Sequence, residues 1–507
     1  MDWLALFAEF NTEQGGARLY LRIVETIESA IISGAVESEK LPTTRELSAM
    51  LGVDRSTVSR AYDELAARNL IASHVGRGTY VKSSQARAAK ATSAPAGALD
   101  WQSKYSQYGE SLLRLMESLP QYLEGDDVIS FSGGLPASGS YPQEEFKEIL
   151  LGLLAADKPI FDFSPSSGEP ALRAAVRQHL KGRGVVVPDE ELLILSGSQQ
   201  GIDLVSSIFL SEGDTVVTEN PTYFWAIANF KARRCEILGC SLDRDGISLS
   251  ELESHLRRRS VKFIYVMPTN QNPTGITMSP SRREDLLALS KSYGVPIFED
   301  DFSGDLYYDG KNQPLKAMDR GGNVIYQGTF SKALCPGIRL GWMVAPKEVI
   351  DRLSFAKRGS DLSTNSMAQA LLCEFLTRGS YDRHLSSINS IYKERRDVLA
   401  ASLRHYFREE ASFFLPPGGL FLWLTLPEFV NSRELLEFAL RNKVSVSPGE
   451  ICYVDNSKMR NTLRLCFIQN DPETIEEGVR RLSLAYFAYK KSVRPAPSAV
   501  ASDHVLI

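Results

Sequence analysis

Residues 83–98, SSQARAAKATSAPAGA, carry almost no large apolar side chain. Such a stretch buries too little surface to offset the entropy of ordering it, so it reads as a linker. Everything before it and everything after it must therefore close its own hydrophobic core. The total of 507 residues leaves room for roughly two to four domains at about 100–200 residues each.

The first 82 residues share one pattern. From Leu19 to Ile32, the residues Leu21, Ile23, Val24, Ile27, Ala30 and Ile31 recur at mostly helical spacing. A second helix is expected over about Thr44–Leu51, with Thr43 or Thr44 as N-cap. Gly52-Val53-Asp54 forms a tight turn, and a third helix runs from about Arg55 to Arg68 with Val58, Ala61, Tyr62 and Leu65 on its apolar face. Leu70–Ser73, the glycine-bearing turn His74–Gly78 and Thr79–Val81 then read as a β-hairpin. Helix, turn, helix and hairpin make a winged helix-turn-helix, whose last helix enters the major groove by its N-terminal residues. Here those are Asp54, Arg55, Ser56 and Thr57. Arg55 can pair bidentately with guanine or clamp a phosphate, and Ser56 and Thr57 suit phosphate or base contacts. Arg45, in the preceding helix, and Arg77, between Gly76 and Gly78 in the wing, suit the backbone or the minor groove. The run LPTTRELSAMLGVDRSTVSRAYDELAARNLIASHVGRGTYV strongly resembles the DNA-binding domain of GntR-type bacterial regulators. That resemblance implies double-stranded operator DNA as a partner.

After the linker, expected over 83–112, a large region over 113–490 alternates short β-branched runs with helical stretches. Asp214–Thr218, Phe263–Met267, Val295–Phe298, Val324–Gly328 and Gly341–Val344 read as buried strands, and Ser281–Tyr293 as a helix between two of them. The alternation predicts an α/β fold with a mostly parallel sheet covered on both faces, its large lobe over about 166–350. Beyond Asp351 helices dominate, with strands at Gly419–Leu424 and Leu463–Phe467, which gives a smaller α+β lobe built from the flanking segments. The tail 491–507 is rich in Pro, Ala and Ser and reads as disordered.

Composition removes several function classes. The formal charge is −5, from 57 Lys+Arg against 62 Asp+Glu, so the chain is no bulk basic coat for nucleic acid, although one basic patch is compatible with it. No apolar run approaches the roughly 18–20 residues that span a bilayer, so no membrane partner is expected. MDWLALFAEF lacks the basic start of a signal peptide. The 6 cysteines show no CxxC pair and the 6 histidines no HExxH. That pattern suits reduced thiols in a cytoplasm and predicts no metal.

Four features of the large region suit a cofactor aldehyde with a phosphate. Lys332, in Gly328-Thr329-Phe330-Ser331-Lys332 after a predicted strand, can form a Schiff base, and Thr329, Ser331 and Arg339 can hold a phosphate dianion. Asp300, at a strand end, can pair with a protonated pyridine nitrogen. Asn272, in Pro268-Thr269-Asn270-Gln271-Asn272-Pro273-Thr274-Gly275, can donate to the pyridine 3-oxygen. Ser196-Gly197-Ser198-Gln199-Gln200-Gly201 opens a helix whose amides face an anion, which brings in Ser198 and Gln199. Tyr223 offers a ring for stacking.

In this order along the chain, the set resembles the class I/II aminotransferases of pyridoxal-phosphate fold-type I. The resemblance spans about 128–485 and takes in Phe131–Ala137 and Leu463–Phe467. It implies that Arg464 grips a substrate carboxylate and that Gly133 and Gly134 line the substrate side. Two positions depart from that family's pattern. Phe302 stands where a tyrosine usually donates to the cofactor 3-oxygen, and Phe163 where a tyrosine usually reaches the neighbouring subunit's phosphate. Each loss keeps the ring and removes a donor.

The two units together resemble the MocR/GabR subfamily of regulators. The resemblance implies a homodimeric transcription factor with bound pyridoxal 5'-phosphate. Its body would sense the cofactor, an amino compound, or both, by imine exchange at Lys332. The alternative is a working aminotransferase with a tethered DNA-binding domain.

Overall fold

The computed structural model describes residues 7, 19–32, 40–67, 70–74, 78–81, 99, 101, 104–117, 127–156, 160–455 and 460–493. They divide into two compact units, Met1–Lys104 and Tyr105–Ile507.

In the first unit, helices Leu19–Ile32, Thr44–Leu51 and Arg55–Ala67 precede the antiparallel hairpin β1 (Ile71–His74) and β2 (Gly78–Val81). Thr43 is the N-cap of the second helix through a capping box: its hydroxyl accepts from Glu46 N at 3.2 Å, and Glu46 Oε2 accepts from Thr43 N at 2.7 Å. Gly52 ends that helix at φ 64, a left-handed turn that favours glycine. Ile23, Val24, Ile27, Leu47, Val58 and Leu65 are fully buried together, and each such aliphatic side chain contributes about 1.5–3 kcal/mol. Lys40 pairs with Tyr80, and Leu41 N donates to Thr79 O at 2.9 Å, so the segment before the second helix lies along the hairpin. The wing turn 75–77, including Arg77, lies outside the described residues.

The second unit begins with the helix Gln107–Glu117. Gln107 accepts from Arg234 Nη1 at 2.8 Å, and the Arg233 guanidinium stands 5.4 Å from the Tyr108 ring centroid. The linker expected over 83–112 thus overlaps a docked helix from Gln107 on. Ser106 starts that helix by accepting from Gly109 N at 3.1 Å, a capping signal the sequence reading passed over. Residues 83–98 lie outside the described ones. At the other end the helix Pro472–Val493 takes in the first three residues of the expected tail, and 494–507 lie outside the described residues.

After β3 (Ile129–Ser130) come the strands of the large sheet. They are β4 (Leu192–Leu195), β5 (Thr215–Asn220), β6 (Glu236–Asp243), β7 (Gly246–Ile247), β8 (Val261–Val266), β9 (Ile297–Asp301), β10 (Val324–Thr329) and β11 (Gly341–Val344). They stand in the order β4-β11-β10-β9-β8-β5-β6-β7. The pairs β10–β9, β9–β8, β8–β5 and β5–β6 are parallel, and β11 runs antiparallel between β10 and β4. Every residue of β4, β9 and β10 is buried, as expected for strands covered by helices on both faces. Three strands of this sheet escape the sequence reading, β4, β6 and the two-residue β7. Leu-Leu-Ile-Leu is too short to show a period, and Glu236–Asp243 is mostly half-buried and mixed in polarity.

The small lobe holds β12 (Ser412–Phe413), β13 (Phe421–Thr425), β14 (Val444–Ser445), β15 (Ser447–Pro448) and β16 (Thr462–Cys466). Four of them form an antiparallel sheet in the order β12-β13-β16-β15, and β14 pairs in parallel with β3. The helices Ser380–Phe407 and Pro472–Val493 pack along each other here. The β3 pairing carries the segment Phe131–Ala137 from the small lobe into the cleft, where Phe131 N donates to Ser445 O at 2.8 Å.

Candidate cofactor site and DNA-binding surface

In a parallel sheet the strand carboxyl ends, with the loops beyond them, form the natural crevice. Asp300 lies near the end of β9, Thr329 ends β10, and Lys332 follows three residues later. The loop after β8 carries Asn272, and the turn after β4 opens the helix Ser198–Phe209.

Two cavities that share Ser198, Tyr223, Trp225 and Lys332 gather the expected residues. One, of about 260 Å³, is lined by Gly134, Asn272, Asp300, Phe302 and Arg464, with the shared residues. The other, of about 530 Å³, is lined by Gln199, Thr329, Ser331 and Arg339, again with the shared residues. Every cofactor and substrate residue read from the sequence therefore falls on one continuous crevice. Sequence reasoning missed Trp225, Phe421, Ile451 and Tyr108, which also line it. Only the adjacency of Trp225 to Tyr223 could have pointed to any of them. Phe163 lies away from the crevice and is 85% exposed.

Lys332 Nζ donates to Gly134 O at 2.9 Å. Burial, ahead of every other cause, lowers its amine to about 8. A lysine in that range supplies free amine near neutral pH. Asp300 Oδ2 accepts from Tyr265 Oη at 2.8 Å, while its Oδ1 is buried with no hydrogen-bond partner. Burial pushes this carboxyl up to about 7. A cationic ring nitrogen suits that lone oxygen.

The phosphate end is built on small residues. The helix Ser198–Phe209 has Gly197 as N-cap at φ 100 with no side-chain cap, which leaves its first amides free for an anion. Arg339 Nη2 donates to Ser196 O at 3.2 Å and Nη1 to Ser331 Oγ at 3.4 Å. A Cβ on Gly197 would stand 2.5 Å from Arg339 Nη2, so only glycine lets the guanidinium lie across the turn. At the far end, Arg464 donates to Asn272 Oδ1 at 3.1 Å and Ser132 O at 2.9 Å, and its guanidinium lies 4.2 Å from the Phe421 ring centroid. Arg464 Nε is buried and unpartnered. Phe302 stacks on Phe421, ring centroids 6.4 Å apart, and Tyr223 Oη donates to Gln199 Oε1 at 3.3 Å. An orphaned carboxylate oxygen, an uncapped helix start, a guanidinium over glycine and a lowered lysine together fit pyridoxal 5'-phosphate.

Among the described residues, no group of His, Cys, Asp and Glu is arranged to hold a metal ion. No helix among them is long and apolar enough to cross a membrane.

On the first unit, Arg45 and Arg55 are exposed. Arg55 Nε donates to Thr44 Oγ1 at 3.3 Å, which ties the start of the third helix to the second. Ser56 Oγ donates to Asp54 Oδ1 at 2.6 Å, so its hydroxyl is engaged in the turn, and Thr57 is half-buried beside it.

The chain matches two family models: aminotransferase class I and II over residues 129–482, and bacterial regulatory proteins of the gntR family over 19–81. It is 32% identical to the HTH-type transcriptional regulator YisV of Bacillus subtilis, over 91% of this chain and 94% of that one. It is 36% identical to aromatic-amino-acid aminotransferase 1 of Thermococcus litoralis, over 76% of this chain and 94% of that one. The crystal structure of a multiple substrate aminotransferase from Thermococcus profundus superposes with a TM-score of 0.71 at 36% identity, covering 78% of this chain and 100% of that one. The aminotransferase class I and II family depends on pyridoxal 5'-phosphate. The chain belongs to the aminotransferase class I and II family and joins that body to an N-terminal gntR-family DNA-binding unit, the organisation of MocR-type transcriptional regulators.

Proposed function

We propose that the protein is a pyridoxal-phosphate-dependent transcriptional regulator whose body senses the cofactor, an amino compound, or both, at Lys332. One observation carries this reading: a crevice holding Lys332, Asp300, Arg339 and Arg464 stands in the same chain as a winged helix-turn-helix with exposed arginines. Ser198, Gln199, Thr329, Ser331 and Arg339 would hold the phosphate, Asp300 the ring nitrogen, Asn272 the ring oxygen, and Tyr223 the ring face. When bound, the cofactor supplies an aldehyde for which Lys332 and an incoming amine compete. Lys332 released from it has the Gly134 carbonyl 2.9 Å away. Gly134 lies on the segment that enters the small lobe, so the state of Lys332 biases how the two lobes meet. Such a bias shifts DNA binding only if the ligand prefers one lobe arrangement.

The protein would act in the cytoplasm as a homodimer on operator DNA. The exposed Phe163 and Phe161, 85% and 76% accessible in the single chain, favour a subunit contact at the surface that carries them. Arg45, Arg55, Thr57 and, in the wing, Arg77 are the DNA-facing residues of this reading, with Ser56 holding the turn.

A second reading, catalytic turnover, is favoured by the retention of Lys332, Asp300, Arg339 and Arg464. The loss of the hydroxyls at Phe302 and Phe163 weighs against it. Full-length holo protein is scanned for visible absorbance with a panel of amines, then with 2-oxo acids, alongside operator binding. A persistent amine-dependent spectrum with altered DNA affinity supports the regulator. Rapid cycling with oxo acids and unchanged DNA affinity overturns it. A DNA affinity that differs between apo and holo protein, with no response to amines, identifies the cofactor itself as the signal.

A further inference from the structure

Gln327 is a fully buried amide that shares the space under Gly201 with Leu195 and Met343. It lies on β10, directly opposite Asp300 of β9 in the parallel register, so the two side chains leave the sheet on the same face. On its other side, β11 places Met343 opposite it. Gln327 is 0% exposed; neither Oε1 nor Nε2 completes a hydrogen bond by geometry, yet the amide stands close enough to Asp300 to draw its carboxyl downward. Leaving a buried amide unpaired is costly, and an apolar residue of the same shape would avoid that cost if the position only filled space. Asp300 Oδ1, on the neighbouring strand, is in the same condition. The overlying helix leaves room for the amide: a Cβ on Gly201 would stand 2.1 Å from Gln327 Oε1.

We infer that Gln327 is a positioning residue for Asp300, its amide N–H donating to the carboxylate so that Asp300 stays ionised and aimed at the cofactor's ring nitrogen. Tyr265 then holds Oδ2 and Gln327 steadies the rest of the group, because a carboxylate oxygen accepts more than one donor. A hydrogen bond to the charged form opposes the upward push that burial gives this carboxyl. The inference rests on the cofactor reading of the site and on no reading of the amine signal.

The test compares full-length wild type with Gln327→Met, which keeps the length and removes the amide. Gln327→Leu serves if the Met variant does not fold, as judged by circular dichroism. Pyridoxal phosphate is titrated into apo protein across pH 6–9 by visible absorbance. An unionised Asp300 must release its proton to pair with the ring cation, so affinity falls on the acid side of its titration. Losing one donor moves that acid limb up by about half to one pH unit, a weakening of about 3- to 10-fold on the limb, with convergence at higher pH. Gln327→Glu, which sets a second acid beside Asp300, moves it further in the same direction. A pure packing role changes melting temperature and leaves the limb in place, and superimposable profiles for wild type and the Met variant overturn the inference. If wild type binds no cofactor at any pH, the reading of the site fails instead.

Discussion

Gly197→Ala tests the phosphate cradle with a single methyl group. At φ 100 and ψ 160 the backbone of Gly197 lies where alanine is strained, at a cost on the order of 1–3 kcal/mol. The added Cβ would also stand 2.5 Å from Arg339 Nη2 and 3.1 Å from its Cζ, so one of them must move. The guanidinium is the softer partner, held by contacts of 3.2 and 3.4 Å to Ser196 O and Ser331 Oγ. Displaced, it loses a charge-assisted bond to the phosphate, worth about 1.5–3 kcal/mol, which is about 10- to 150-fold in cofactor affinity. The assay is an absorbance titration of apo protein with pyridoxal phosphate, paired with a thermal melt of each apo form. The variant is expected to melt lower and bind weakly, with Arg339→Ala adding little further loss because both changes remove the same contact. Unchanged affinity in a folded Gly197→Ala protein would show that Arg339 does not clamp the phosphate.

Four further outcomes follow from the same geometry. Because burial lowers Lys332 to about 8 from an ordinary 10.5, the rate of cofactor attachment should rise about tenfold per pH unit below 8 and level off above it. Stopped-flow absorbance checks this, and a profile still rising toward 10.5 counts against it. Asp300 is raised from 3.8 to about 7, so its ionisation costs folding stability that grows as pH climbs between those values and is fully felt above 7. Asp300→Asn should then stabilise the apo protein at pH 8 by about 1–4 kcal/mol while weakening cofactor binding, and a variant less stable than wild type in urea contradicts it. Arg55→Ala should weaken operator binding and lower the salt dependence by about one ion, read by fluorescence anisotropy at several salt concentrations. An identical salt slope would remove Arg55 from the phosphate contacts. Phe302→Tyr restores a donor toward the cofactor's ring oxygen and should lower the pH at which the visible band of holo protein titrates. Identical titrations would show that neighbouring groups already compensate.

The legible parts of the sequence are those where chemistry repeats at short range. Thr43 or Thr44 as N-cap, Gly52, and the apolar spacing of Val58, Ala61, Tyr62 and Leu65 mark the winged helix, because capping and periodicity act within one or two turns. Lys332, Asp300, Asn272 and Arg339 could be named because each sits in a short motif at a strand end. The helix Gln107–Glu117 was hidden behind a low-complexity start, since the contacts that dock it come from Arg233 and Arg234, far along the chain.

By itself, then, the sequence determined that two cores form, that one carries a helix-turn-helix, and that the other carries the parts of a phosphate-bearing aldehyde site. Which of those parts meet was decided only by tertiary structure. Strand order places β9 beside β10, and with it the buried Gln327 beside Asp300. The β3–β14 pairing carries the segment of Gly134 to Lys332, and β16, held between β13 and β15, carries Arg464 to Asn272, 192 residues away in the chain. Sheet order and lobe closure are collective results of burying apolar surface, and no local stretch of sequence encodes them.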